Sequence, residues 1–524
     1  MWSTMQDVPL NVSQILRHGM VVNGSSRVIT WTESGPKERT FAEVGARAAQ
    51  LAHALRGLGI DGDQRVATLM WNNAEHLEAY LAVPSMGAVL HPLNLRLPPA
   101  QLAYIVAHAD DRVIIVDETL LHLVPDLPNI EHVIVTGTPY EQLLDGNPTD
   151  YPWPELDERT AAGMCYTSGT TGDPKGVVYS HRSVFLHAMQ VAMARVMGSG
   201  PEHLTLPVVP MFHVNAWGIP HASFMSGVSL LMPDRFLQPE PLAEMIATIR
   251  PTHAAGVPTI WQGLLGELKA RPRDVSCLES LVVGGSACPP ALMAAYDALG
   301  VRINHAWGMT EMSPLGSVAN PPDDDVNLRV TQGSFRPGVQ ARLAGPDGEI
   351  LPWDGSSVGE LEVRGPWITG SYYGGTGAEP ERPADRFSKD GWLRTGDVGT
   401  ITPDGYLTLT DRAKDVIKSG GEWISSMELE NHLMAHPDVV EAAVVAVPDE
   451  RWGERPLAAV VLSAPVEYGT LRAFLADRVA RWQLPERWTV IETVPKTSVG
   501  KFDKKVLRRQ YADGELDVTE LPKD

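Results

Sequence analysis

The sequence predicts an α/β fold carrying an added β-rich part and a smaller α+β portion toward the C-terminal end, on three observations. Between Arg65 and about residue 135, short β-like runs (66–70, 113–116, 132–135) alternate with helical stretches (74–81, 99–107), the pattern of a largely parallel sheet crossed by helices. From about Gly333 the character changes to short β-like segments separated by Pro346-Asp-Gly348 and Pro403-Asp-Gly405, turn chemistry that suits antiparallel pairing. Beyond residue 414 the chain has strand-like runs of its own (439–447, 457–462) and helices near 471–480 and 504–510. At 524 residues it exceeds what one hydrophobic core usually supports, so more than one domain is expected.

Composition narrows the class further. With 44% hydrophobic and 20% charged residues the chain is that of a globular protein rather than a disordered one. A formal charge of -21 argues against nonspecific binding to nucleic acid or an anionic membrane, both of which need a basic face. No stretch approaches the roughly 18 apolar residues of a membrane span, and residues 1–20 lack the basic-then-apolar layout of a signal peptide. Cys165, Cys277 and Cys288 have no zinc-type spacing and are too few for a disulfide framework. A cytoplasmic location is expected.

Taken in order, Thr40-Phe-Ala-Glu43 is a capping box leading into an Ala/Leu-rich helix that should stop near Gly57 and Gly59. The most informative stretch is Tyr166-Thr-Ser-Gly-Thr-Thr-Gly-Asp-Pro-Lys-Gly176, read as a strand-to-helix loop before a helix from His181. Its glycines let the backbone approach an anion, the hydroxyls of Thr167, Ser168, Thr170 and Thr171 donate, and Lys175 adds a mobile positive charge. It is not a Walker loop, because Gly176 rather than Ser or Thr follows Lys175. Residues 204–217 read as a strand ending in a Pro/aromatic loop with His213 and Trp217. Leu281-Val-Val-Gly-Gly-Ser-Ala-Cys-Pro-Pro290 reads as a buried strand, a glycine turn and a proline-started helix. Ser425-Ser-Met-Glu428 caps another helix.

The loop at 166–176 resembles the phosphate loop of the adenylate-forming superfamily of acyl-CoA synthetases, peptide-synthetase adenylation domains and luciferases. Further motifs of that superfamily follow in its order, and the likeness covers nearly the whole chain. The resemblance implies ATP, magnesium and coenzyme A as cofactor and co-substrates, and a small carboxylic acid as the other partner. It assigns nucleotide contacts to Thr167, Ser168, Gly169, Thr171 and Gly172, with Thr170 and Lys175 serving catalysis. Gly284 belongs to the acyl pocket beside His213, Val214 and Trp217. Gly285, Ser286 and Ala287 border adenine. In Ala306-Trp-Gly-Met-Thr-Glu311 the aromatic stacks on adenine next to Ala306, Gly308 and Met309, Thr310 meets phosphate, and Glu311 holds magnesium together with Thr170. Trp307 stands where tyrosine is usual, so the stacking face is kept and a hydroxyl is lost. Asp397 is the ribose acceptor and Arg412 its neighbour on ribose or phosphate.

The same resemblance divides the chain into a large domain at 1–413, of layered α/β subdomains with a β-rich subdomain, and a small mobile C-terminal domain at 414–524. The hinge falls at about 412–416, centred on Lys414. Lys418, Gly420 and Gly421 form the loop that enters for thioester formation, and Lys501 is the adenylation lysine. The expected activity is ATP-dependent ligation of an acid to CoA through an acyl-adenylate. Residues 212–217 and 417–425 look like medium- and long-chain fatty-acyl-CoA ligases and the 3-(methylthio)propionate-CoA ligases near them. Without a charged residue among Val214, Asn215, Trp217, Gly284, Gly285 and Met309, a short-to-medium acid with an uncharged tail is expected. The alternatives are a medium/long-chain fatty acid, or an acceptor other than CoA. A homodimer is left open.

Overall fold

The computed structural model describes the chain apart from residues 128, 168–172, 194–197, 199, 322–324, 346, 413, 420–421, 497–501 and 523–524, and apart from the side chains of Glu422 and Trp423. The expected strand–helix alternation is present. Arg65–Leu69, Val89–Pro92, Asp111–Val116 and His132–Val135 pair in parallel within a six-stranded sheet completed by Ala161–Tyr166 and Gly176–Ser180. The helix Phe41–Gly57 begins with the capping box, Thr40 accepting from the Glu43 amide while Glu43 reaches back.

A second sheet positions the site. Arg27–Thr30, Ser229–Met232, Leu204–Pro207, His253–Gly256, Ser280–Val283 and Arg302–Gly308 lie parallel, and their buried runs of small and branched side chains are those of strands covered on both faces. Arg302–Gly308 belongs to two worlds. Its first residues pair in parallel with Ser280–Val283, and its last pair antiparallel with Leu315–Val318. Through it the sheet runs on into the antiparallel part, Gly333–Phe335 to Tyr406–Arg412. The Pro403-Asp-Gly405 turn joins two of these strands, Gly405 donating to the Thr402 carbonyl at a φ of 83°. Pro346 of the other expected turn lies outside the described residues.

A smaller α+β unit follows. The long hairpin Val439–Asp449 with Gly453–Leu462 is flanked by the helices Ser426–Leu433, Tyr468–Ala476 and Lys504–Ala512. Ser425 caps the first of these, accepting from the Glu428 amide at 3.0 Å. Its core, around Ile417, Leu429, Val444, Leu471 and Trp488, is separate from the cores of the large domain.

One expectation is corrected. The stretch 166–176 is not a strand-to-helix loop. Ala161–Tyr166 turns back antiparallel onto Gly176–Ser180, and only then does the helix His181–Met193 start. The alternating Gly176-Val-Val-Tyr-Ser180 run is β-branched and aromatic enough to add a strand before the helix.

Candidate functional site

A cavity of about 730 Å³ opens where the two sheets meet the small domain. The strand Arg302–Gly308 delivers the densest set of its lining residues. Gly308 is required there by close approach: a Cβ would stand 2.0 Å from the Pro314 carbonyl oxygen. This contact turns the chain at the strand's end and presents the short 3₁₀ turn Thr310–Met312. Glu311 on that turn is 5% exposed. Its Oε1 accepts from the Tyr372 hydroxyl at 2.7 Å and from Arg386 Nη2 at 3.0 Å. Burial, with Glu311 alongside, raises the Tyr372 phenol, so it serves as a donor. Neither Tyr372 nor Arg386 belongs to a motif legible in the sequence. They come from the irregular segment before Leu393–Ile401, docked by the Tyr373 amide on the Gly176 carbonyl at 2.9 Å.

Thr167 and Lys175 pair at the base of the loop expected to bind phosphate. The Thr167 amide donates to the Lys175 carbonyl at 2.9 Å, and the Lys175 amide to Thr167 Oγ1 at 3.2 Å. The Lys175 ammonium lies 5.1 Å from the centre of the Tyr372 ring, a cation–π contact. Ser168, Gly169, Thr170, Thr171 and Gly172 lie outside the described residues.

Asp397 and Arg412 face each other across paired strands, and Arg412 Nε meets Asp397 Oδ1 at 2.7 Å. The other oxygen, Oδ2, accepts from the Trp307 indole N–H at 2.8 Å. The substitution that removes a tyrosine hydroxyl thus supplies a different donor. Ionised carboxylate oxygens have two acceptor sites each, so both retain capacity for a hydroxyl pair.

At the other end of the cavity, Val214, Asn215, Ala216 and Trp217 form a left-handed turn with φ of 47°, 56°, 46° and 57°. Each such non-glycine residue costs about 1–2 kcal/mol, so the turn must be held from outside. Asn72 holds the preceding segment, donating to the Pro207 and Val209 carbonyls and accepting from the Met211 amide, and the Tyr80 hydroxyl donates to Asn215. The result brings Trp217 across the pocket. Its Cη2 lies 3.6 Å from where a Cβ on Gly284 would stand, and that Cβ would also be 2.9 Å from the Ala306 carbonyl oxygen.

Of the residues singled out from sequence, the cavity wall brings together Thr167, Lys175, His213, Val214, Trp217, Gly284, Gly285, Ser286, Ala287, Ala306, Trp307, Gly308, Met309, Thr310, Glu311, Asp397, Arg412 and Lys414. Lys418 is not on it. That side chain is exposed on the strand Ile417–Ser419, whose amide at Lys418 donates to Glu454 at 2.8 Å. Gly420, Gly421 and Lys501 lie outside the described residues. The small domain contributes Glu430 and Lys504, which sequence reasoning missed. They are buried together at 2.7 Å, and burial raises Glu430 to about 7 against the opposing pull of Lys504. Among the described residues no helix is long and apolar enough to cross a membrane.

A cavity with Lys175 and Arg386 on its wall, a carboxylate at each of two positions and an apolar end suits a nucleotide and an acid held side by side. Comparison with known proteins agrees. The family described as AMP-binding enzyme matches residues 21–373, and its C-terminal domain family matches 428–501. The chain is 42% identical to the 3-methylmercaptopropionyl-CoA ligase of Ruegeria pomeroyi, over 98% of this chain and 99% of that protein. It is also 42% identical to the long-chain-fatty-acid–CoA ligase of Thermus thermophilus, over 97% of each. The crystal structure of an anthranilate CoA ligase in complex with anthranoyl-AMP superposes with a TM-score of 0.88 at 26% identity, covering 97% of this chain and 100% of that one. The chain therefore belongs to the AMP-binding enzyme family, as an AMP-forming ligase that uses ATP to join a carboxylic acid to CoA through an acyl-adenylate.

Proposed function

We propose that the acid is short to medium in length with an uncharged tail, of the type of 3-(methylthio)propionate. The observation that carries this reading is the reach of Trp217 to Gly284, which puts an indole floor under an otherwise apolar pocket end bordered by Val191, Ile219, Val282 and Leu315. The Ruegeria relative is named for such an acid and the Thermus relative for long-chain acids, so identity alone does not choose between them. The test is a panel of acids assayed for AMP release with CoA. The expected result is the highest kcat/KM for short-to-medium uncharged acids; a steady rise toward long chains would select the fatty-acid reading instead.

In the adenylating step, an acid carboxylate oxygen attacks the α-phosphorus of ATP and pyrophosphate leaves. Trp307 offers its face to adenine, and Asp397, fixed by Trp307 and Arg412, takes the ribose hydroxyls. Lys175 and Arg386 supply positive charge to the phosphate chain, which this acidic protein must provide locally. Glu311 fits a magnesium ion: among the described residues its two side-chain donors bind Oε1, which leaves Oε2 for a hard cation that otherwise takes phosphate oxygens and water. When bound, that ion neutralises phosphate charge. Lys501 is assigned to the transferring group, and Lys418 with Gly420 and Gly421 to the thioester step.

The two steps use different faces of the small domain, which turns about Lys414 between 1–413 and 414–524. Support for the hinge is that Lys414 lies on the cavity wall between the last strand of the large domain and the first of the small one. A cytoplasmic setting fits three free cysteines, two of them buried.

A further inference from the structure

At the opposite end of the central strands from the cavity, His203, His253 and Glu279 come together. They stand at the N-terminal starts of Leu204–Pro207, His253–Gly256 and Ser280–Val283, adjacent parallel strands. The cavity lies past the far ends of the same strands, about 13 Å along a four-residue strand. One potential ligand atom from each side chain falls within 4.8 Å of the others. Among the described residues no other group of three His, Cys, Asp or Glu side chains is so close.

The hydrogen-bond network fixes which nitrogen of His253 faces the cluster. Thr252 Oγ1 accepts from the Leu204 amide at 3.2 Å and is hydrogen-bonded to His253 Nδ1 at 2.9 Å. With Nδ1 engaged by Thr252, His253 Nε2 is the nitrogen on the side of Glu279 Oε2, 4.0 Å away. A 4.0 Å separation is too long for a direct hydrogen bond and leaves room for a cation between the two groups. His203 Nδ1 has a carboxylate partner as well, Glu202 Oε1 at 3.2 Å. A hydroxyl or carboxylate beside one nitrogen of each ring is the outer-shell pattern of metal-ligating histidines. The backbone is equally fixed: the Thr252 amide donates to the Leu204 carbonyl at 2.9 Å and the Glu279 amide to the Thr252 carbonyl at 2.7 Å.

The geometry points to a binding site for a divalent transition-metal ion of the zinc class, formed by His203, His253 and Glu279, with water completing the coordination. Two imidazoles and a carboxylate suit zinc rather than magnesium or calcium, which prefer all-oxygen shells. Zinc–ligand bonds of about 2.0–2.2 Å in a tetrahedron place ligand atoms about 3.3 Å apart, which small side-chain rotations reach from the present spacing. The ion clips three chain segments that lie far apart in sequence, and so stabilises the fold without touching the cavity.

The test uses the full-length, untagged enzyme, stripped of metal and titrated with Zn2+. The expected result is a single ion bound per chain and a rise in melting temperature with Zn2+ concentration, as binding to the folded state alone requires. His203→Ala, at a half-buried position, and Glu279→Ala, at an exposed one, are expected to weaken binding about 10–100-fold and to abolish the melting shift, with ligase activity in Mg2+ unchanged. His253→Gln is expected to do the same. Equal Zn2+ affinity in wild type and variants, or no binding and no melting shift in the wild type, would overturn the site.

Discussion

The indole N–H of Trp307 and the carboxylate of Asp397 are joined at 2.8 Å, although 90 residues separate them in sequence. The side chain expected to stack on adenine is thus tied directly to the one expected to take the ribose, and Arg412 holds the same carboxylate from its other oxygen. A hydrogen bond to a buried charged group contributes about 1.5–3 kcal/mol. Trp307→Phe keeps a stacking face and removes the donor, so KM for ATP is expected to rise about 10–100-fold with a smaller change in kcat. Steady-state kinetics over a range of ATP concentrations check this. An unchanged KM for ATP would show that Asp397 is positioned without the indole.

Arg386 is the cation next to Glu311 that no motif announced. If it neutralises phosphate charge, Arg386→Ala is expected to lower kcat for adenylate formation about 100-fold, and Arg386→Lys to recover part of it. Pyrophosphate release measured in both variants, with circular dichroism to confirm folding, checks the assignment. A loss of ATP affinity alone, with kcat intact, would make Arg386 a ground-state contact.

Much of this site was legible and some of it was not, for physical reasons. The run Ala306 to Glu311 could be singled out because it resembles a family motif whose residues are consecutive, here on one strand end. Tyr372 and Arg386 could not, because they reach Glu311 from an irregular segment whose position is set by its docking on Gly176. The strand–helix alternation and the caps at Thr40 and Ser425 are local and were readable. The strand Gly176–Ser180 was missed because a five-residue strand running straight into a helix has no turn signal between the two. The replacement of tyrosine by Trp307 read as a lost hydrogen bond; only the fold, by setting Asp397 opposite, turns it into a different one.

Trp217→Ala is expected to shift the acid preference toward longer chains, with little effect on KM for ATP. Its indole crosses to Gly284, and removing it opens room for additional methylenes. If Trp217 is instead only a packing residue, the variant loses about 3–5 kcal/mol of stability and the chain-length profile stays the same. Rates over a homologous series of acids, measured beside thermal melts, separate the two.

Stability is expected to fall as the pH drops below neutrality. His187 is buried, and burial together with His221 lowers it to about 3, while its Nε2 accepts from the Leu315 amide at 3.0 Å. The unfolded histidine takes up a proton near its ordinary value of about 6.5 and the folded one does not. Its contribution is therefore present above about pH 6.5 and is lost as the pH falls toward the folded value, about 2 kcal/mol of it between pH 7 and 5. Urea denaturation at those two pH values should show a smaller decrease for His187→Gln than for the wild type. Equal decreases would mean that the folded His187 takes up its proton near its ordinary value, since the other buried groups contribute alike to both proteins.

The central claim is that one cavity first makes an acyl-adenylate and then, with the small domain turned, a thioester, and that Glu311 serves only the first step. The most direct measurement is acid-dependent ATP–pyrophosphate exchange without CoA, paired with thioester formation from a supplied acyl-adenylate, in the wild type and in Glu311→Ala. The account predicts that the wild type exchanges pyrophosphate only when acid is present and does not need CoA. Glu311→Ala should lose exchange at least about 100-fold yet still convert supplied adenylate and CoA to thioester at a near wild-type rate. Exchange that requires CoA in the wild type, or equal loss of both steps in a folded Glu311→Ala, would contradict it.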